Sequence, residues 1–242
     1  MEMPIDMQHQ AMGYDRSATM FSPEGTILQV EYAEKAVRHG SSSIGIVCVD
    51  GIMILADKRI DDKLLIQKSA SKIYEVDSHA MASVAGIISD ARVLIERAQL
   101  LSQQHRVTYD SPIEPELIIK EVSNVKQQFS QWGGARPFGA SLMVGGINGK
   151  RAELFTSDVT GNYFNFYANA IGENDEKIKE KLRERFRPDL TLKKATKIAL
   201  EIFEEIKEKK FDITKFELAY IKNDELKLVR LDGEEIRNFS KA

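Results

Sequence analysis

Histidine and cysteine are the side chains that could most readily do acid–base or nucleophilic chemistry in this sequence. The four histidines are His9, His39, His79 and His105. Their spacing fits no metal site, and no serine or cysteine is an evident partner for any of them. The single cysteine, Cys48, lies in an apolar strand-like run, which is typical of a small buried hydrophobic residue. These residues predict neither a metal site nor a cysteine nucleophile.

A glycine-rich run, Gly145 to Gly149, is the nearest approach to a phosphate-binding loop. It falls at a predicted hairpin rather than before a helix, and it lacks the lysine that such loops use. The sequence therefore predicts no cofactor. A net charge of −3 argues against a general nucleic-acid binder, because such domains are normally basic.

Length and composition describe an ordinary globular protein. The 242 residues suffice for one large domain or two small ones, and the hydrophobic content of 43% supports a sizeable core. No apolar run approaches the roughly 18 residues of a membrane span. Residues 1–6 have neither the basic start nor the apolar segment of a signal peptide. Together with the single cysteine, these features predict a cytoplasmic protein without a membrane partner.

Strand pairs and helix pairs alternate along the chain. Apolar periodicity predicts strands at residues 43–49, 52–57, 72–74, 79–84, 138–147, 151–157, 162–168, 216–221 and 226–231. Helices are predicted at residues 26–38, from residue 89 to the break at 109–112, and at 115–129, 173–187 and 191–210, before a short charged tail. This order predicts an α+β fold, in which two stacked sheets are covered by helical layers.

The N-terminal part divides into a tail, a turn and a helix. Residues 1–13 have no usable periodicity and predict a mobile tail. Ser22-Pro23-Glu24-Gly25 has turn chemistry, and apolar residues recur at helical spacing from about Thr26 to Arg38. A short amphipathic helix needs a surface for its apolar stripe, either in its own domain or on a neighbouring subunit.

This stretch resembles the N-terminal signature of proteasome α-type subunits, most closely those of archaea. The matching runs are Tyr14-Asp15-Arg16, Phe21-Ser22-Pro23-Glu24-Gly25 and Gln29-Val30-Glu31-Tyr32-Ala33. Further matches follow in order, among them Ala56-Asp57-Lys58-Arg59, Ser89-Asp90-Ala91-Arg92, Arg136-Pro137-Phe138-Gly139 and Ala170-Ile171-Gly172. The resemblance implies one subunit domain over residues 14–242. It also implies the four-layer α-β-β-α sandwich of two antiparallel sheets found in N-terminal-nucleophile hydrolases.

The resemblance also raises an alternative function, a self-processed amidase. In that superfamily the first residue of the mature chain is the nucleophile, and its own amine acts as the base. Similarity to β-type subunits places Ser41 at the nucleophile position, Asp57 at the acid position and Lys72 close to the lysine position. The chemistry would require cleavage between Gly40 and Ser41, yet a predicted helix precedes Ser41. We therefore expect no catalytic residue in this chain.

The resemblance implies a structural and gating role in a protease complex. Related subunits form seven-membered outer rings, which stack on β-subunit rings that hold the proteolytic threonines, and their tails gate the passage of unfolded polypeptide. Tyr14, Asp15, Pro23 and Tyr32 match the positions that hold the open gate, although they could instead fix only the local turn.

Lys72 and Gly86 match a docking pocket of the same family. This pocket lies between adjacent α subunits and receives the C-terminal carboxylate of an activator such as an ATPase ring. An ammonium suits a carboxylate because it is a compact charge with three donors. A ring-forming binding protein outside protein degradation is a further alternative.

Overall fold

The computed structural model describes residue 13, residues 17–59, residue 62 and residues 64–241. The helices are α1 Leu28–His39, α2 Ile88–Tyr109, α3 Pro115–Gln131, α4 Asp175–Arg185, α5 Leu192–Lys207 and α6 Glu234–Lys241. The strands are β1 Ser43–Cys48, β2 Gly51–Asp57, β3 Ile73–Asp77, β4 Ala80–Gly86, β5 Ala140–Asn148, β6 Arg151–Ser157, β7 Tyr163–Asn165, β8 Ala168–Ile171, β9 Phe216–Lys222 and β10 Leu228–Asp232. Short 3-10 turns lie at Gln67–Ala70, Glu208–Lys210 and Ile213–Lys215.

The strands form two antiparallel sheets of five strands each. The first sheet has the order β10-β9-β2-β1-β8, and the second has the order β3-β4-β5-β6-β7. The predicted turn at Asn148-Gly149 joins β5 to β6, because Asn148 pairs with Arg151 and Gly149 adopts a φ of +60°. The prediction of an α+β fold with two antiparallel sheets is confirmed.

Three clusters of buried apolar side chains separate four layers. The outer face of the first sheet packs on α4, α5 and α6, with Phe203 deep in the contact. The outer face of the second sheet packs on α2 and α3, where Leu94 is fully buried. The facing sides of the two sheets meet around Ile54 and Met143. A Cβ added at Gly45 would lie only 2.7 Å from the Met143 sulfur, so glycine allows the sheets to approach closely here. This is the predicted α-β-β-α sandwich.

The segment 162–168 was predicted as one strand, and this prediction was wrong. β7 pairs with β6 in the second sheet, whereas β8 pairs with β1 in the first. Between them, the Phe166 N–H donates to the Leu154 carbonyl, and the Val47 N–H donates to the Tyr167 carbonyl, both at 2.8 Å. The chain changes sheets at this point. The period-two alternation continues through the change, so a local pattern does not reveal it.

The charged C-terminal tail was also predicted wrongly, because its last residues form α6. Ile236 is fully buried, and the Phe239 ring stacks on Tyr220 of β9 with centroids 4.9 Å apart. These two apolar residues stand three apart, which places them on one face of a helix. The remaining residues of the segment are mostly polar, so the window was too short for a clear period.

The N-terminal helix α1 lies against β4 and β5 of its own domain. Leu28 and Ala33 are buried on this side, so its apolar stripe is covered at least in part within the subunit. At its C-terminal end the backbones approach closely: a Cβ added at Gly40 would lie 2.3 Å from the Gly86 nitrogen. Gly86 itself has a φ of +113°, and a Cβ there would lie 2.1 Å from the Gly139 carbonyl oxygen. These contacts require glycine and fix the helix end against the second sheet.

Candidate functional site

A cavity of about 570 Å³ opens between the end of α1, the start of β3 and the end of β4. Its lining includes Ser41, Lys58, Arg59, Asp62, Lys72 and Gly86. Three of these side chains are cationic and one is a carboxylate. Lys58 pairs with Asp232 and Arg59 pairs with Glu173, whereas Lys72 donates to a backbone carbonyl, so Lys72 is the cation best placed for an anionic ligand. The structure therefore brings the predicted residues Lys72, just before β3, and Gly86, at the end of β4, to the same cavity.

The Lys72 side chain reaches the segment that links α1 to β1. Its ammonium donates a hydrogen bond to the Ser41 carbonyl oxygen. Burial lowers the pKa of Lys72 to about 7, while the nearby carboxylates of Asp57 and Glu217 act in the opposite direction. Lys72 is thus a cation held close to its neutral form in a low-dielectric site.

Glu217 holds the backbone on which Lys72 stands. Its carboxylate is buried and accepts hydrogen bonds from the backbone N–H groups of Lys72 and Ile73 and from the Ser71 hydroxyl. Burial raises the pKa of Glu217, and the three hydrogen bonds lower it in part. Sequence analysis did not select Glu217. The available signal was an acidic residue inside the otherwise apolar run from Phe216 to Ile221.

Asp57 is nearly inaccessible and already has structural partners. One carboxylate oxygen accepts the Arg59 backbone N–H at 3.0 Å, and the other accepts the Lys207 ammonium. Arg59 has a φ of +48°, and its guanidinium donates to the His39 carbonyl at 3.1 Å and to the Glu173 carboxylate. Asp57 therefore stabilises the strand end and the arginine beside it.

Ser41 lies within a packed stretch of backbone. The residue before it, Gly40, donates to the Val37 carbonyl at 3.0 Å and accepts from the Glu173 N–H at 2.8 Å. A Cβ added at Gly172 would lie 2.5 Å from the Ser41 carbonyl oxygen, so this peptide is enclosed on both sides. In the intact chain the Ser41 nitrogen is part of a peptide bond and cannot act as a base. Ser41, Asp57 and Lys72 therefore come close together without forming an N-terminal-nucleophile site.

The four gate residues are only partly covered by the structure. Tyr14 and Asp15 lie outside the described residues. Pro23 is exposed in a turn that is closed by a hydrogen bond from the Gly25 N–H to the Ser22 carbonyl at 2.9 Å. Tyr32 is partly exposed on α1, and the Lys35 ammonium lies 5.4 Å from its ring centre.

Neither a membrane-spanning helix nor a metal-binding cluster is found in the part of the chain that the structure describes. No described helix is long and apolar enough to cross a membrane. No cluster of three or more His, Cys, Asp or Glu side chains among the described residues could hold a metal ion. Cys48 is buried, and burial raises the pKa of its thiol, which makes it unreactive.

Comparison with known proteins agrees with this fold. The proteasome subunit family matches residues 37–221, and the chain belongs to that family. The N-terminal signature of A-type proteasome subunits matches residues 14–36. The chain is 39% identical to a proteasome alpha subunit of Methanothermobacter thermautotrophicus, over 95% of this chain and 92% of the relative. It is 42% identical to one from Methanocaldococcus jannaschii (83% and 78%) and 40% identical to one from Pyrococcus abyssi (94% and 86%).

The N-terminal signature and these relatives show which type of proteasome subunit this chain is. The chain is a non-catalytic α-type subunit of a protease complex whose active sites lie on β subunits. An N-terminal-nucleophile reaction would need a free amine at Ser41, whereas the preceding Gly40 is packed against Gly86 and α1 is packed against β4 and β5. The α-type signature and the named relatives therefore argue against the alternative of a self-processed amidase.

Proposed function

We propose that this subunit docks the C-terminal carboxylate of an activator in the Lys72 cavity and gates the passage of unfolded polypeptide. The observation that supports docking is the convergence of Lys58, Arg59 and Lys72 on one cavity, with Asp62 as the carboxylate in its lining. A carboxylate entering this cavity gains charge-assisted hydrogen bonds. It also raises the pKa of Lys72, because a nearby negative charge favours the ammonium.

The proposed gate comprises residues 1–13 together with Tyr14, Asp15, Pro23 and Tyr32. Its support is the position of α1, which runs from the Pro23 turn to the wall of the docking cavity. A ligand that displaces Ser41 or His39 therefore acts on the same helix that carries Tyr32. A phenol and a carboxylate at these positions suit hydrogen bonds between neighbouring subunits.

The proposal includes the assembly in which these sites act. Residues 14–242 form one subunit domain, and copies of it form a seven-membered ring with other α subunits. This ring stacks on a ring of β subunits and receives an ATPase activator ring. A cytoplasmic location is supported by the unpaired, buried Cys48, which needs no oxidising compartment.

The docking site is tested in a particle reconstituted from this chain, its β-type partner and the ATPase activator. Lys72→Ala removes the ammonium, so activator stimulation of peptide hydrolysis should fall to the unstimulated rate while rings still assemble. Lys179→Ala is the matched control, because that lysine pairs with Asp175 on α4, outside the cavity lining. Stimulation that survives in the Lys72 variant contradicts the docking role. Co-purification of native rings with a β-type partner would disfavour a binding protein outside protein degradation.

The gate is tested in the same particle without an activator. Deletion of residues 2–13 should speed hydrolysis of a short fluorogenic peptide, because the tails then no longer restrict the pore. Native mass spectrometry checks that the deleted form assembles as the full-length chain does. Hydrolysis at the full-length rate by an intact particle rules out the gating role.

A further inference from the structure

We propose that Glu217 is a positioning residue that aims the Lys72 ammonium into the docking cavity and keeps it charged. This inference rests on the proposed docking function of the cavity. Glu217 lies on β9 of the first sheet, whereas Lys72 directly precedes β3, an edge strand of the second sheet. The contact therefore joins the two sheets at the cavity.

One buried carboxylate orders three consecutive residues at the start of β3. One oxygen of Glu217 accepts the backbone N–H of Lys72 and, at 2.8 Å, that of Ile73. The other oxygen accepts the Ser71 hydroxyl at 2.8 Å. Because the backbone N–H of Lys72 is directed at Glu217, its side chain is constrained to a narrow set of directions, and it reaches the Ser41 carbonyl.

Arg230 holds the other polar groups of the same segment. Its guanidinium donates to the Ile73 carbonyl at 2.6 Å and to the Ser71 hydroxyl oxygen at 3.2 Å. Glu217 and Arg230, both in the first sheet, therefore bond the donors and the acceptors of residues 71–73. This edge segment cannot rotate without breaking several hydrogen bonds at once, of which the one from the Ile73 N–H to Glu217 is buried.

Glu217 also acts on the charge of Lys72. Asp57 and Glu217 favour the ammonium, whereas Arg59, Lys207 and burial oppose it. With the pKa of Lys72 already lowered to about 7, loss of a neighbouring carboxylate charge moves Lys72 further toward a neutral amine. A neutral amine attracts a ligand carboxylate far less than an ammonium does. Docking therefore depends on Glu217, although Glu217 does not itself contact the ligand.

Two substitutions separate the charge of Glu217 from its geometry. In Glu217→Gln the amide oxygen can still accept both backbone N–H groups, but the negative charge is lost. In Glu217→Asp the charge remains, but its reach is shorter by one methylene. Glu153→Gln on β6 is the matched control, because Glu153 also has a pKa raised by burial and is not part of the cavity lining.

The experiment uses rings assembled from the full-length chain and a fluorescent peptide with a free C-terminal carboxylate. The same peptide ending in an amide is the reference. Affinity is measured by anisotropy between pH 5.5 and 8.5, together with the melting temperature of each ring. At pH 7.5, Glu217→Gln should weaken carboxylate binding about tenfold, equivalent to a change of one unit in the pKa of Lys72. The midpoint of its binding curve should shift to lower pH, whereas amide binding should not change.

The remaining outcomes test either the positioning role of Glu217 or the docking function of the cavity. Glu217→Asp should keep the wild-type pH midpoint with a weaker affinity, and Glu153→Gln should match the wild type in both. If wild-type rings prefer the carboxylate and Lys72→Ala removes the preference, but Glu217→Gln binds like the wild type, the positioning role alone is overturned. An equal loss for both peptides with an unchanged midpoint also overturns it. Wild-type rings that bind both peptides equally overturn the docking function and this inference with it.

Discussion

Lys72 and Lys126 are two lysines whose pKa values burial lowers to about 7, but their surroundings differ. Lys126 lies on α3 and is completely inaccessible. Its ammonium donates to the Ser157 carbonyl and hydroxyl oxygens, both at 3.2 Å, and to the Asp158 carbonyl at 2.6 Å. The three donors of an ammonium are thus matched by three protein acceptors. Lys72, in contrast, donates to the Ser41 carbonyl and lines an open cavity.

This difference shows what a perturbed pKa does and does not reveal about function. Both pKa values are lowered by the same cause, which is removal of the charge from water. At Lys126 the acceptors belong to the protein, so the charge holds α3 against the end of β6. At Lys72 the cavity leaves room for a ligand to supply an acceptor. The opening beside the lysine, rather than its pKa, identifies the candidate site.

The largest expected effect that separates the two lysines is on stability. Lys126→Ala leaves the carbonyls of Ser157 and Asp158 without their donor and creates a cavity, so the free energy of unfolding should fall by about 3 kcal/mol. Lys72→Ala faces an existing cavity and should cost less than about 1 kcal/mol. Urea unfolding of the two variants, followed by circular dichroism, measures both values. An equal loss in the two variants would contradict the distinction between a structural and a docking lysine.

A smaller effect concerns the pH dependence of stability. The pKa of Lys126 is about 7 in the folded chain and returns to about 10.4 on unfolding. Between these values the unfolded chain binds more protons, so this lysine makes the free energy of unfolding rise with pH. Lys126→Met should remove that contribution and reduce the slope above pH 7.5 by up to about 1 kcal/mol per pH unit.

Unfolding curves of the wild type and of Lys126→Met between pH 7 and 9.5 test this prediction. Subtracting one from the other cancels the groups that titrate in both. Lys72→Met is the comparison variant. Because the pKa of Lys72 is lowered to a similar value, its variant should show a similar reduction in slope, and an unchanged slope in the Lys126 variant would contradict the prediction.

Sequence patterns predicted the fold class and most elements because those signals are local. Apolar runs identified β1 and β2, alternation identified β6, and helical patterns identified α1 and α3 close to their observed bounds. The pattern did not reveal where a strand changes its pairing partner, because the alternation of apolar residues continues through the change. It also did not reveal a helix with too few apolar residues to show a period. The sheet change between β7 and β8 and the short helix α6 are the two examples.

For the candidate site, the sequence by itself determined the family signature and the residue types that match a docking pocket, Lys72 and Gly86. It also determined that a helix precedes Ser41, which argues against catalysis. Only the tertiary structure decided that the Lys72 ammonium meets the Ser41 carbonyl and that Glu217 holds its backbone. Lys72 and Glu217 are 145 residues apart and belong to different sheets, so no local period links them. Their contact exists because the stacking of the sheets brings the two segments together.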